Sequence, residues 1–136
     1  VRVVLDPNVV ISGVLSRRGA PAQVLRALAA GEFELVVSEA LLDELERALA
    51  YPKLRRHISE GDSAELLRWL IGSSSVAPDP GSEPPVRSRD PNDDYLIALA
   101  SAERAAIVSG DKHLLALDQE IPVFSPRAFV HLLAEA

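Results

Sequence analysis

Along this chain, short unbroken apolar runs alternate with stretches in which apolar residues recur every three or four positions. Val1 to Leu5 is a compact apolar run halted by Asp6-Pro7-Asn8, the pattern of a strand buried on both faces and stopped by turn residues. Phe33 to Val37 and Ala105 to Val108 repeat it, and Pro122 to Phe124 is a shorter version. The intervening segments carry helical periodicity. Val9 to Leu15 begins a helix that Arg17-Arg18-Gly19-Ala20-Pro21 breaks. Ala22 to Ala30 places Val24, Leu25 and Leu28 on one side, with Gly31 where a C-terminal cap belongs. Ser38 is a good N-cap for a helix whose Leu41, Leu42, Leu45 and Leu49 share a face, and Tyr51-Pro52 ends it. Leu54 to Ile58 predicts a further helical turn. Asp62 or Ser63 caps a helix through Leu66, Leu67, Leu70 and Ile71, closed by Gly72 to Ser75. Asp93 to Glu103, Leu114 to Leu117 and Pro126 to Ala134 complete the helical set, the last with Pro126 in its first turn.

Strands alternating with helices predict an α/β sandwich on a parallel sheet. In such sheets ligands bind in the crevice at the carboxyl ends of the strands. The length of 136 residues is that of one domain, 1–136, with no internal repeat. The least regular stretch, Pro78 to Pro91, holds five of the ten prolines. It reads as an extended connection, long for a loop in a compact domain, and long loops are often functional.

Composition narrows the chemistry. Apolar residues make up 48% of the chain, enough for a core without staples. There are no cysteines, which excludes disulfides, thiolate zinc sites and cysteine nucleophiles and fits a cytoplasmic protein. A metal must therefore bind through carboxylates, histidine or backbone oxygen. No apolar run approaches the ~20 residues of a membrane span, so no membrane role is expected, and the first residues read as a strand rather than a signal peptide. The formal net charge is −6, and the pI is near 5.0. That balance argues against a general nucleic-acid binder. Twelve of the 14 basic residues are Arg. Arginine suits bidentate phosphate contacts, although high-GC coding bias gives the same count.

The acids change that picture. Asp6 is the first residue after the first strand, and Asp111 lies three residues past the Ala105 to Val108 strand. Glu44 follows Ser38 by six residues, beside the apolar stripe of its helix, and Asp93 and Asp94 open the helix leading to the third strand. Four to six carboxylates thus converge on one sheet edge. Crowded like charges repel and raise one another's pKa, a cost accepted where a cation occupies the site. With oxygen ligands alone, the expected ion is Mg²⁺ or Mn²⁺, and carboxylate-clamped ions of this kind serve in-line phosphodiester hydrolysis. Each acid also has a plainer reading. Asp6 and Asp111 are good turn formers, Asp94 can cap its helix or face its dipole, and Asp90 and Asp93 read as caps or solvated loop acids. An acid bordering the core, as Glu44 does, needs a partner.

The segments Val-Val-Leu-Asp6-Pro-Asn8-Val-Val-Ile-Ser12, Ser38 to Glu44-Leu45, Asp90-Pro-Asn-Asp93-Asp94-Tyr-Leu-Ile-Ala and Val108-Ser-Gly-Asp111-Lys-His-Leu-Leu together resemble the ordered motifs of PIN-domain ribonucleases. Tyr51-Pro52-Lys53-Leu54 and Pro126-Arg-Ala-Phe-Val resemble a subgroup of VapC-like toxin components of toxin–antitoxin pairs. The likeness spans nearly the whole chain. It implies a three-layer α/β/α sandwich whose acidic pocket holds Mg²⁺ or Mn²⁺ and cuts single-stranded RNA in the cytoplasm. It further implies Asp6, Glu44, Asp94 and Asp111 as the catalytic, metal-binding acids, with Asp93 as an additional ligand. Asn8 would orient an acid or water from behind, and Ser12 and Ser109 would lend hydroxyls. A cognate antitoxin and a homodimer are the implied protein partners. One departure stands out: Pro7 occupies a position where the family usually has Thr, removing a hydroxyl and an amide N–H next to Asp6.

RNA requires positive charge near those acids. Arg17, Arg18, Lys53, Arg55, Arg56, Arg87 and Arg89 are candidates, and Arg89 and Lys112 are the strongest because sequence ties them to site acids. His113 and Trp69 read as a helical-turn residue and a helix-interface residue. A haloacid-dehalogenase-type phosphatase wants Asp-x-Asp, whereas position 8 is Asn. A receiver-type phosphoacceptor wants paired acids ending the first strand, whereas residue 5 is Leu and the second strand runs into Ser38. The remaining alternative is a PIN-fold scaffold or binding protein with weakened turnover, for which Pro7 is the argument.

Overall fold

In the computed structural model, which describes residues 1–135, five strands form one sheet. They are β1 (Arg2–Leu5), β2 (Glu34–Val37), β3 (Ser74–Val76), β4 (Ala106–Val108) and β5 (Val123–Phe124), arranged β3-β2-β1-β4-β5 with every neighbouring pair parallel. Eight helices flank it: α1 (Pro7–Leu15), α2 (Ala20–Ala29), α3 (Glu39–Leu49), α4 (Pro52–Arg55), α5 (Glu60–Gly72), α6 (Asp94–Ala102), α7 (Lys112–Leu115) and α8 (Pro126–Ala134). The result is a three-layer α/β/α sandwich. Helix α2 packs against both α1 and α8, while α3 meets α4, α5 and α6.

Helices on both faces explain the unbroken apolar runs. Val3, Val4 and Leu5, Leu35, Val36 and Val37, and Ile107 and Val108 are all buried, with no solvent face to demand alternation. Each such side chain contributes roughly 1.5–3 kcal/mol when removed from water. At the far end, the rings of Phe33 and Phe129 meet edge to face at 5.1 Å, which ties α8 to the entry of β2.

The caps follow the sequence closely. Ser38 accepts from the Leu41 N–H at 3.3 Å, and Ser125 accepts from Ala128 at 3.1 Å. Three local readings are corrected. Ser74–Val76 is an edge strand paired with β2, where a helix closure was expected. Helix α5 starts at Glu60, capped by Ser59 rather than Asp62 or Ser63. A 3-10 turn over Pro91–Asp93 precedes α6, so the α-helix begins at Asp94.

The strand order positions the site. From β1 the chain winds outward through β2 and β3, then returns to place β4 on the other side of β1. The connections leaving β1 and β4 therefore diverge, opening a crevice beyond their carboxyl ends. Asp6 leaves β1 there, and Ser109 and Asp111 leave β4.

Candidate functional site

Asp6 is a buried carboxyl, 4% exposed. It is the N-cap of α1, its Oδ1 accepting the Asn8 N–H at 3.0 Å. Its Oδ2 accepts the Ser109 hydroxyl at 2.7 Å, across 103 residues of sequence. The same Ser109 oxygen accepts the Asp111 N–H at 2.9 Å, and Asp111 Oδ1 accepts the His113 N–H at 2.8 Å as the cap of α7. One buried hydroxyl thus couples the side chain of Asp6 to the backbone of Asp111. The capping reading of these acids and their convergence on one crevice hold together: each caps its helix while standing at the sheet edge.

Pro7 fits this arrangement without strain. It occupies the first position of α1, where the missing N–H has no helical partner to lose. The donors orienting Asp6 come from Asn8 and Ser109, so the Asp6 rotamer does not depend on residue 7.

Asp93 completes the group. Its pKa is raised from 3.8 to about 7, first by burial, then by the charge of Asp111 and a hydrogen bond with it, then by Asp90 and Asp6. Ser88 Oγ donates to its Oδ2 at 3.3 Å. Asp94 faces elsewhere: its Oδ1 accepts the Ser88 N–H and its Oδ2 accepts from Arg87, both at 3.1 Å. Of the two adjacent acids, Asp93 stands with Asp6 and Asp111, and Asp94 fastens the Pro-rich connection to the start of α6. Ser88, buried and bonded to both, carries no signal in a segment that reads as irregular.

Glu44 lies in a neighbouring cleft. It is half-exposed and paired with Arg47 at 2.8 Å. Tyr95 connects the two regions; burial, then the charges of Glu44, Asp6 and Asp93, hold its hydroxyl above the ordinary tyrosine pKa. Asn8 and Ser12, expected as supporting residues, line a cavity of about 410 Å³ with Asp6, Gly110 and Asp111. Arg89 and Lys112 are exposed, one residue from Asp90 and Asp111 respectively. Trp69 packs partly buried against the core.

The charge on the three acids is uncompensated. Ion pairs among the described residues join Arg2 to Glu34 and Glu103, Arg47 to Glu44, and Arg87 to Glu83 and Asp94. None reaches Asp6, Asp93 or Asp111. Among the described residues no three His, Asp or Glu side chains are grouped so as to hold a metal ion. The donors that Asp6, Asp93 and Asp111 offer are all oxygen, the chemistry of a hard divalent cation, and the carboxyls would have to draw together to hold one.

Comparison with known proteins adds an independent line. Residues 2–113 match the PIN domain family. The chain is 31% identical over 122 residues to the uncharacterized protein MJ1680 of Methanocaldococcus jannaschii, covering 88% of this chain and 77% of that protein. Two crystal structures share the fold. VapBC2 from Rickettsia felis, bound to a DNA fragment from their promoter, aligns with a TM-score of 0.61 at 13% identity, covering 92% of this chain and 97% of that one. PAE2754 from Pyrobaculum aerophilum aligns at 0.64 and 16% identity, covering 100% and 97%.

Proposed function

The chain belongs to the PIN-domain family, and on that premise we propose that it is a divalent-metal-dependent endoribonuclease acting on single-stranded RNA. The observation that carries this reading is the uncompensated group of Asp6, Asp93 and Asp111 at the topological switch point. These three residues would hold Mg²⁺ or Mn²⁺, with Glu44 at the adjoining cleft. A bound divalent ion supplies Lewis-acid stabilisation of the phosphodiester and acidifies a water for attack. The protein residues do the rest. Ser109 and the Asn8 N–H fix the Asp6 rotamer, so it is ready for an ion without reorganisation. Asp93 would release its proton on holding a cation. Asn8 and Ser12 line the cavity within which the phosphodiester would sit.

The cellular role we infer is that of a toxin restrained by an antitoxin protein in the cytoplasm. The fold shared with the Rickettsia felis VapBC2 complex supports it. Exposed apolar side chains, including Val14, Leu15 and Leu132, are consistent with a protein partner or a homodimer. The scaffold alternative loses its main support, because Pro7 leaves Asp6 fully oriented.

The test is cleavage of an unstructured RNA with Mn²⁺ or Mg²⁺ by wild type, Asp6→Asn, Asp93→Asn and Asp94→Asn. Asp6→Asn and Asp93→Asn should each lose about 10²-fold or more in rate, on the order of 3 kcal/mol of transition-state stabilisation. Asp94→Asn should lose less. Equal residual activity in wild type and all variants would reject the nuclease reading.

A further inference from the structure

The cleft beside the acids has a wall that the proposed chemistry does not use. Its volume is about 630 Å³, and Ala40, Asp43, Glu44, Arg47 and Tyr51 line one side. Their spacing is that of a single helical face continued past the end of α3. Asn92 and Tyr95, from the start of α6, line the other side. Tyr95 stands at the inner side of the cleft, close enough to the acids for the charges of Asp6 and Asp93 to act on its hydroxyl.

Tyr51 is the exposed aromatic of this wall, with 59% of its surface open to solvent. Its backbone is nevertheless fastened on both sides. Its N–H donates to the Ala48 carbonyl at 3.2 Å, and its own carbonyl accepts from Leu54 and Arg55 at 3.0 and 2.9 Å. Pro52 follows as the first residue of α4 and sets the turn. An open aromatic ring on a fixed backbone loses little freedom when something flat lies against it. Cations flank Tyr51 in sequence, although the cleft wall itself also carries Asp43 and Glu44. Arg47 stands one turn before Tyr51, and Lys53, Arg55 and Arg56 follow it. Lys53 and Arg56 are exposed. Arg47 uses only its Nη1 for Glu44, in an exposed pair of the kind that rearranges readily.

A flat ring flanked by cations is the chemistry that recognises an unpaired base and its phosphates. We infer that Tyr51 is the stacking platform for an unpaired base of the RNA strand, with Arg47 and Lys53 holding the adjoining phosphates. The inference rests on the nuclease reading for its substrate and adds the residue that binds it. A paired base has its faces covered by its own helix, so the platform selects single strands. Tyr51 is a binding residue and takes no part in bond breaking.

The experiment measures binding apart from cleavage. Fluorescence anisotropy of an end-labelled, unstructured RNA oligonucleotide, in EDTA and at low salt, is compared for wild type, Tyr51→Ala and Tyr51→Phe. Thermal melts of all three confirm folding. Tyr51→Ala should bind about tenfold more weakly, within the range of one lost base–aromatic stack. Tyr51→Phe should bind as wild type does, because stacking needs the ring and not the hydroxyl. A duplex of the same sequence should not distinguish wild type from Tyr51→Ala. With Mn²⁺ present, Tyr51→Ala should raise KM and leave kcat near wild type, the signature of lost uniform binding. Unchanged affinity in Tyr51→Ala, or failure of Tyr51→Phe to restore it, overturns the inference while wild-type cleavage keeps the nuclease reading. Wild type that binds through Tyr51 but never cuts overturns the nuclease reading and keeps the platform. Wild type that neither binds nor cuts removes both.

Discussion

Ser109 serves two acids with one hydroxyl. It donates to Asp6 Oδ2 and accepts the Asp111 N–H, so its loss loosens both at once. Ser109→Ala should destabilise the protein by about 1–3 kcal/mol through the unsatisfied buried groups it leaves. It should also weaken Mn²⁺ binding about 10- to 100-fold, as removal of a group supporting a ligand does. Urea unfolding and calorimetric titration read the two effects separately, and unchanged Mn²⁺ affinity would count against Ser109 as the brace of the site. Asp93 gives the pH dependence. Its pKa rises from 3.8 to about 7 on folding, so between those values the native state holds a proton that the unfolded chain releases. The metal-free protein should therefore lose stability as pH rises from about 4 to about 7. On the proposed reading a divalent ion would take the place of that proton. The gain in Tm on adding Mn²⁺ should consequently grow as pH rises through about 7, and melts at pH 6 and pH 8 check it. The residue scale is also where the sequence was hardest to read. Asp93 and Asp94 are adjacent, and periodicity alone does not choose between them. The 3-10 turn over Pro91–Asp93 shifts the phase of the chain before α6 begins, which turns Asp93 toward Asp111 and leaves Asp94 with Arg87.

At the scale of elements, α1 and α2 meet through Gly13. A Cβ built there would lie 2.6 Å from Leu25 Cδ1 and 2.9 Å from the Pro21 carbonyl oxygen. The leucine can turn aside, but the carbonyl belongs to the backbone of α2. Gly13→Ala should cost about 1–3 kcal/mol by overpacking. Gly72, at the end of α5, has nothing within 4 Å of the same position. Gly72→Ala should be neutral or stabilising by up to about 1 kcal/mol from helix propensity. Denaturant titrations of the pair check both, and equal effects would argue against close packing at Gly13. The strands that cross the core were legible, because burial on both faces leaves an unbroken apolar run. Ser74–Val76 was not. An edge strand of three residues with two serines needs no such run, and pairing with β2 alone makes it a strand. The start of α5 was displaced for a related reason: Glu60-Gly61-Asp62 offers no apolar residue from which to begin the helical period, yet the Ser59 hydroxyl caps it at 3.0 Å.

For the whole molecule, the net charge of −6 divides unevenly. Asp6, Asp93 and Asp111 gather at the switch point without a cationic partner among the described residues, while Lys53, Arg55 and Arg56 stand together beyond the end of α3. A divalent ion binding only the native fold should stabilise it by about 2.7 kcal/mol at 100 times its Kd, a rise of several degrees in Tm. Asp6→Asn should remove most of that rise, and differential scanning calorimetry with and without Mn²⁺ measures it. The fold class, the sheet edge that carries the acids and the convergence of Asp6 with Asp111 were legible from alternation alone. The separation of Glu44 into a neighbouring cleft was not, since it depends on the packing of α3 against α6.

The bond from Ser109 to Asp6 spans 103 residues, and β1 takes its second neighbour from β4. During synthesis Asp6 is made 103 residues before its brace. Every shorter nascent chain carries Asp6 on a strand with one open edge and no partner for Oδ2. The acidic centre is thereby kept from assembling until β4 and the Ser109 that follows it have been made.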